Sequence, residues 1–433
     1  MIAQNGAVPA WENYKAMDRR LHILVALGAL AVIISRKPDA ILNPQFYCEE
    51  GSYWYAGAYN QGLIHSLFAP VGGYLHVFER LAGGFAQIFP FYYGPLVFNI
   101  IAIFIQILPL SLMMSSRLAE LVPSAGIRLF LSFIYLALPN SAEVIASLNQ
   151  SPVHLTFLAF MVLIAAPGNG LFWNVFDVIV ILLAGLSRPF AIFLLPVALL
   201  LWRRRGGKRL LYLSGLTAIC ALVQGFFILT DASSRSRPLG ATPDLFAMIL
   251  SGRVFLGALI GHQGYGQLAN LILHHNRHAF VFFSWVVTVM GITAVAAALV
   301  KADEELRLFV LLAIGLLVAA LITPVAVPPP YEQWPALFYM GVSERYWFIP
   351  MLAFVAALIW LAGRRGLVKI LAVTALVIMS YGVIKDWRVS QWRQAPISAS
   401  QFKAYSQYLD AVPKGARVTI DYQPNWSMTL IKR

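Results

Sequence analysis

Apolar runs of helix length fill most of the first 384 residues, and short charged or Pro/Gly-containing turns separate them. Runs of this kind predict helices that cross a membrane. The expected spans are 22–35, 93–115, 129–139, 154–166, 171–185, 190–202 and 210–229. Four more follow: 279–300, one ending near Ile322, 346–362 and 367–384. Cations occupy alternate turns: Lys15, Arg19 and Arg20; Arg117 and Arg128; the run Arg203-Arg204-Arg205-Gly206-Gly207-Lys208-Arg209; Lys301 and Arg307; Arg364, Arg365 and Lys369. Positive turns stay in the cytoplasm, which places the N-terminus inside and the C-terminus outside, with about eleven spans between them. Several spans are short for a hydrocarbon core of about 30 Å and are expected to tilt or to be capped by polar cavity walls.

Two stretches depart from the pattern. In 72–88, Phe78, Leu81, Phe85 and Ile88 recur at helical spacing, while His76, Glu79, Arg80 and Gln87 take another face. That reads as an amphipathic helix lying in the membrane interface. The long external loop 230–278 is expected to carry a second surface helix over 245–260. The fold class that follows is an all-α polytopic membrane protein. Its transmembrane domain covers 1–384, with a first external loop at 36–92. A small external tail, 385–433, is expected to form one helix over 401–409 and strands near 417–421 and 426–431.

Composition agrees. Hydrophobic residues make up 59% and charged residues 12%, against about half and a quarter in soluble domains. The net charge of +13 does not mark a nucleic-acid binder, because many of the cations sit in short turns between spans. Cys48 and Cys220 form no disulfide framework, since Cys220 falls inside a span. Residues 1–18 are polar, so no cleavable signal is expected.

The polar residues that composition makes conspicuous converge on the outer face. Directly after the first span stands Tyr47-Cys48-Glu49-Glu50-Gly51, followed by the aromatic, small-residue stretch Ser52-Tyr53-Trp54-Tyr55-Ala56-Gly57-Ala58-Tyr59-Asn60 and then by Gly73-Tyr74-Leu75-His76-Val77-Phe78-Glu79-Arg80. Acids at a membrane boundary are costly unless solvated or used. Adjacent carboxylates repel, and a boundary desolvates, so one of Glu49 and Glu50 is expected to carry a raised pKa suited to a general base. Glu143 and Asn149 form a second polar group after the third span. Arg188 sits between two apolar spans, where an arginine needs an anionic partner. Arg345, with Glu344, opens the tenth span and offers planar, two-pronged binding to a phosphate or a carboxylate. Tyr74, His76, His262 and His275 are candidate contacts from the loops. His274 and His278 would share a face if that piece is helical, as a zinc pair does, but no acid or cysteine accompanies them, and no metal or other cofactor is expected. Asp177, inside the fifth span, is expected to pair with a polar group on a neighbouring helix.

A short acidic motif, a surface helix, a Pro/Gly turn, a second surface helix and then a span together resemble the first external loop of the GT-C superfamily of membrane glycosyltransferases. The resemblance covers about the first third of the chain. In the superfamily an acid in this loop is catalytic, often in an Asp-Glu pair, which matches Glu49 followed by Glu50. In the related oligosaccharyl transferases an Asp followed by Gly starts a similar aromatic helix, which matches Glu50-Gly51. Both positions here depart from Asp, so either glutamate qualifies as the base, and the pair favours Glu49. Glu143 lies where the superfamily frequently places a second acid, although Asn140 stands where an Asp after Leu-Pro is common. The resemblance implies a bacterial inner-membrane enzyme with its site on the periplasmic or exterior face. Such an enzyme would move a sugar, with inversion, from a polyprenyl-phosphate donor held by Arg188 and Arg345 to a glycolipid or polysaccharide acceptor. A transporter or flippase for lipid-linked sugars fits the same spans, but it more often shows two related halves and broken midplane helices, and no internal repeat is present.

Overall fold

A backbone among apolar side chains has only itself to hydrogen-bond to, so the apolar runs become helices. The computed structural model describes residues 19–231, 237–388 and 397–433; among these the only strands are two near the C-terminus. Lys15 and parts of the segments 230–278 and 385–433 lie outside the described residues. Six helical stretches are long and apolar enough to cross a membrane: Phe91–Met114, Lys208–Thr230, Pro243–His275, Arg277–Lys301, Glu304–Ile322 and Leu367–Lys385. Five of them coincide with expected spans. The expected spans near 22–35, 129–139, 154–166, 171–185 and 346–362 are present as shorter apolar helices, and 190–202 lies in the helix Ala191–Arg205. Several described helices expose an apolar face. On the Lys208–Thr230 helix, Leu222, Phe226 and Leu229 are 74%, 62% and 73% exposed, a one-sided stripe that suits lipid rather than water.

The Glu304–Ile322 helix separates the two ends of the bundle. Its 19 residues extend about 28 Å. At its start, Glu304 takes hydrogen bonds from Arg204 at 2.9 Å and Arg205 at 3.3 Å, and Glu305 pairs with Arg205. Beyond its end, Arg345 Nη2 donates to the Val325 carbonyl at 2.8 Å. The Arg204 end also holds a buried staple. Asp177 accepts from Arg117 Nη1 and Nη2 at 2.8 and 2.9 Å and from Arg209 Nη2 at 2.7 Å. Two arginines thus meet one carboxylate across three elements, the pairing expected of an acid inside a span.

The segment 230–278 differs most from its sequence reading. The stretch 245–260 is helical, but it is not a surface helix: 247–255 are all buried. It belongs to the helical run Pro243–His275, which Gly261 breaks with a φ of 75°. In a straight helix, residues 17 apart lie about 25 Å apart. Here Tyr265 Oη reaches to 3.5 Å from the Met248 carbonyl, so the run folds back on itself. Its N-terminal approach is tied to the Arg345 end, where Pro238 and Leu239 carbonyls accept from the Gln333 and Trp334 amides at 3.0 and 2.9 Å. The freed amides at the break are satisfied by Asp386, which accepts from His262 N at 2.5 Å, Gln263 N at 3.1 Å and Asn140 N at 2.9 Å. Irregular backbone inside an apolar bundle is tolerated when protein groups satisfy it in this way.

The helix expected in the first loop is present as Val77–Ala86. Its polar face meets the protein interior: Glu79, Arg80 and the preceding His76 are buried, together with Phe78, whereas Leu81, Phe85 and Ile88 are 37%, 50% and 73% exposed. The polar groups turn inward because the interior here is polar, and most of the apolar stripe turns out. The helix lies so close to 50–55 that a Cβ on Gly83 would fall 2.3 Å from the Trp54 carbonyl, so only glycine fits. Arg80 fastens the two, donating to the Tyr53 carbonyl at 2.6 Å and to Ala69 at 3.2 Å. The tail forms the helix Ala399–Ala411 and a hairpin of β1 (Arg417–Gln423) and β2 (Trp426–Ile431), as the sequence predicts.

Candidate active site

The turn after the first span is held in an unusual shape. Cys48 has a φ of 48°, and Glu50–Tyr55 then forms a wide π-helical turn, a local geometry that recurs at functional sites. The shape turns the two carboxylates to different tasks. Glu50 is fully buried; its Oε2 accepts from Tyr47 N at 2.8 Å and its Oε1 from Asn149 N at 3.0 Å. Burial pushes its carboxyl up to about 7, against the pull of those amides and of the Lys37 charge. Glu49 is half-buried. Its Oε2 accepts from Asn149 Nδ2 at 2.7 Å, and among the described contacts its other oxygen has no hydrogen-bond donor.

Asn149 joins these acids to a cation. Arg188 Nη2 donates to the Asn149 carbonyl at 2.5 Å and reaches Asn149 Oδ1 at 3.4 Å. Arg188 is 8% exposed. Its Nε has no hydrogen-bond partner among the described residues, and the nearest carboxylate oxygen, Glu79 Oε1, stands 3.9 Å away. Glu79, buried completely, is held by His76 Nδ1 at 3.2 Å. Tyr74 faces the same group: burial raises its phenol, against the charges of Arg188 and Arg345, while Glu49 adds to the rise. Gln224 fixes the neighbouring backbone, accepting from Leu75 N at 2.9 Å and donating to Leu75 O at 3.3 Å.

A second set of ion pairs adjoins the first. Arg345 Nη1 and its backbone N–H donate to Glu143 at 2.7 and 3.1 Å, and Gln150 donates to the same carboxylate at 3.1 Å. Glu344 accepts from Glu143 N at 2.9 Å, and His262 Nδ1 lies 3.7 Å from it, beyond hydrogen-bond distance. Burial works to raise the Glu344 carboxyl, but His262, Arg253 and the Glu143 amide outweigh it and hold it below its ordinary value. Burial likewise works to lower the Arg345 guanidinium, and Glu143, Tyr346 and Glu49 raise it well above the usual value. Arg345 thus pairs with Glu143 and not with Glu344, and both its Nη atoms are engaged. Arg188, by contrast, keeps its Nε without a hydrogen-bond partner among the described residues, and reaches the Glu49–Glu50 turn only through Asn149.

The structure therefore brings together Glu49, Glu50, Tyr74, His76, Glu143, Asn149, Arg188, His262 and Arg345. It leaves out His275, which is exposed and bonds the Leu271 carbonyl at 2.7 Å. It also separates His274 from His278, because the helix stops at His275 and a new one, capped by Asn276, begins at Arg277. Among the described residues no group of acids, histidines and cysteines has the spacing of a metal site.

Sequence reasoning missed Glu79 and Gln150. By sequence Glu79 only shares the polar face of an interfacial helix with His76, Arg80 and Gln87. Gln150 had no signal beyond its place beside Asn149. Four of the five non-glycine residues with positive φ among the described residues, Cys48, Asn140, Ala146 and Ser343, lie in the turns that build this cluster. Conformations of this kind cost about 1–3 kcal/mol each and persist where surrounding contacts enforce them.

No family model matches the chain, and no curated protein matches it.

Proposed function

We propose that the protein is a membrane glycosyltransferase that moves a sugar from a polyprenyl-phosphate donor to a hydroxyl of a glycolipid or polysaccharide acceptor. The observation that supports this reading best is the chain Glu49–Asn149–Arg188. It joins an open carboxylate oxygen and an under-used guanidinium through one residue, Asn149, whose side-chain amide holds Glu49 and whose backbone carbonyl holds Arg188, at one end of a bundle of apolar helices. Transfer from a lipid phosphate needs a base for the acceptor proton and a cation for the phosphate that departs. Glu49 is the base: it has an oxygen to spare, whereas both oxygens of Glu50 are taken by backbone amides. Glu50 instead shapes the turn. Arg188 receives the phosphate, and its position beside Tyr74, His76 and Glu79 orients the guanidinium. Arg345 and Glu143 hold the adjoining wall. Attack by the acceptor oxygen on the anomeric carbon, with the phosphate leaving from the opposite face, inverts the anomeric centre.

The test is product formation by mass spectrometry, using purified protein, a panel of polyprenyl-phosphate sugars and a lipid extract as acceptor. A new glycoside with inverted anomeric configuration is expected. Movement of a labelled lipid-linked sugar across a vesicle membrane with no new glycosidic bond would replace this reading with transport.

A further inference from the structure

The C-terminal hairpin reaches back over about 370 residues of chain to the turn that carries the acids. Tyr422 Oη donates to the Cys48 carbonyl and accepts from Ser52 N at 3.2 Å. It therefore bridges the backbone on both sides of Glu49-Glu50-Gly51. Gln423 Oε1 accepts from Cys48 N at 2.9 Å. The Tyr422 ring lies so close to Gly51 that a Cβ there would fall 2.6 Å from it. Further out, Asn60 exchanges hydrogen bonds with β2, donating to Thr429 O at 2.8 Å and accepting from Ile431 N at 2.9 Å, and Arg433 donates to Ala58 O at 2.9 Å. Phe46, just before the turn, packs on Tyr422 and on Phe402 of the tail helix, with ring centroids 6.0 and 6.1 Å apart.

None of these contacts reaches a carboxylate of Glu49 or Glu50. They all grip the backbone that carries the pair, at the point where Cys48 adopts its positive φ. A turn held in a costly conformation needs contacts that enforce it, and the hairpin supplies these. We propose that the hairpin is a positioning element for the Glu49–Glu50 turn, with Tyr422 and Gln423 as the positioning residues. The clamp stands on the contacts alone; its kinetic consequence rests on the glycosyltransfer reading above.

The decisive variants are Tyr422→Phe and Gln423→Ala, with Tyr408→Phe, an exposed tyrosine of the same tail, as control. Hydrogen–deuterium exchange of the full-length protein in detergent should show faster exchange across 46–56 in both variants, with the control unchanged and the thermal unfolding midpoint retained. Where wild type makes product, kcat should fall about tenfold or more, as small misplacements of a reacting group do, while donor KM stays put. The loss should vanish in a Glu49→Gln background, because a positioning residue has nothing left to position once the base is gone. Unchanged exchange across 46–56 would overturn the clamp. Faster exchange with unchanged kcat, or an equal loss in the Glu49→Gln background, would overturn the positioning role and leave the hairpin a structural cap. A wild type that forms no glycoside with any donor overturns the transfer reading instead, and the exchange result then decides the clamp by itself.

Discussion

Glu49 and Glu50 are chemically identical and adjacent, yet their surroundings separate them. The proposed transfer calls for a base with an oxygen clear of other donors, and of the two only Glu49 has one among the described contacts. Glu49→Gln should therefore lower product formation by about 10² to 10⁴-fold, the usual contribution of a general base, with donor binding and the unfolding midpoint retained. Glu50→Gln should behave differently. An amide offers one acceptor where two backbone N–H groups now point, so one of the Tyr47 and Asn149 amides loses its partner and the protein unfolds at a lower temperature. Equal unfolding midpoints for the two variants would remove this distinction. The pH dependence has a definite sign. Burial raises the Glu50 carboxyl from 4.5 to about 7, so the folded state binds a proton over that interval that the unfolded state has released. Glu50 therefore contributes more stability at low pH, and loses it as pH rises from about 4.5 through about 7. The deficit of Glu50→Gln against wild type, read from unfolding midpoints, should be widest near pH 5 and shrink towards pH 8. A deficit that grows with pH would mean that Glu50 is stabilised as the anion.

At the scale of elements, the Asp177 staple shows the same dependence on partners. Asp177 is 1% exposed and receives both Arg117 and Arg209. Removing the one shared carboxylate leaves two guanidinium groups in an apolar setting, a defect that typically costs about 3–5 kcal/mol. Asp177→Asn should thus lower the unfolding midpoint sharply and reduce yield, whereas Glu304→Gln, whose arginine partners are exposed to water, should change it little. Similar midpoints for the two would show that the staple is dispensable. Such elements were partly legible in the sequence. Hydrophobic runs located the helices, since apolarity and helix length are properties of the sequence itself. Asp177 was recognisable as a partnered acid because an isolated charge within a span has few other roles. What the polar face of Val77–Ala86 meets was not legible: amphipathicity reveals two faces but does not say what covers each, and here Glu79 faces a polar interior. Nor was the role of Arg345 legible, because by sequence its partner is a phosphate or the adjacent Glu344, and only the fold brings Glu143 to 2.7 Å. The hairpin's hold on Cys48 and Ser52 lay beyond any local pattern, since it joins positions at opposite ends of the chain.

The whole molecule has two chemically distinct ends, and the fold-back at Gly261 determines which end several loops occupy. The run Pro243–His275 has the length and apolarity of a span, and on those grounds alone it would carry the chain across the bilayer. Three contacts argue against a single crossing. The Pro238 and Leu239 carbonyls are bonded at the Gln333–Trp334 level. Tyr265 returns to Met248. Phe280, early in the next helix, packs on Phe338 with ring centroids 6.2 Å apart. The run therefore enters and leaves at the end that also carries Glu49, and Arg277–Lys301 makes the crossing to Glu304 and the arginines that pair with it. This assigns His275 to the same side as Asn60 and the opposite side from Arg204, although His275 has no place in the candidate site. The measurement uses single cysteines, Asn60→Cys, His275→Cys and Arg204→Cys, in a background carrying Cys48→Ala and Cys220→Ala. An impermeant thiol reagent is applied to sealed vesicles of known orientation. Positions 60 and 275 should label from one side and position 204 only after the vesicles are opened, or the reverse for vesicles of opposite orientation. Labelling of 275 together with 204, and apart from 60, would mean that Pro243–His275 crosses the membrane once, and the fold-back at Gly261 would have to be abandoned.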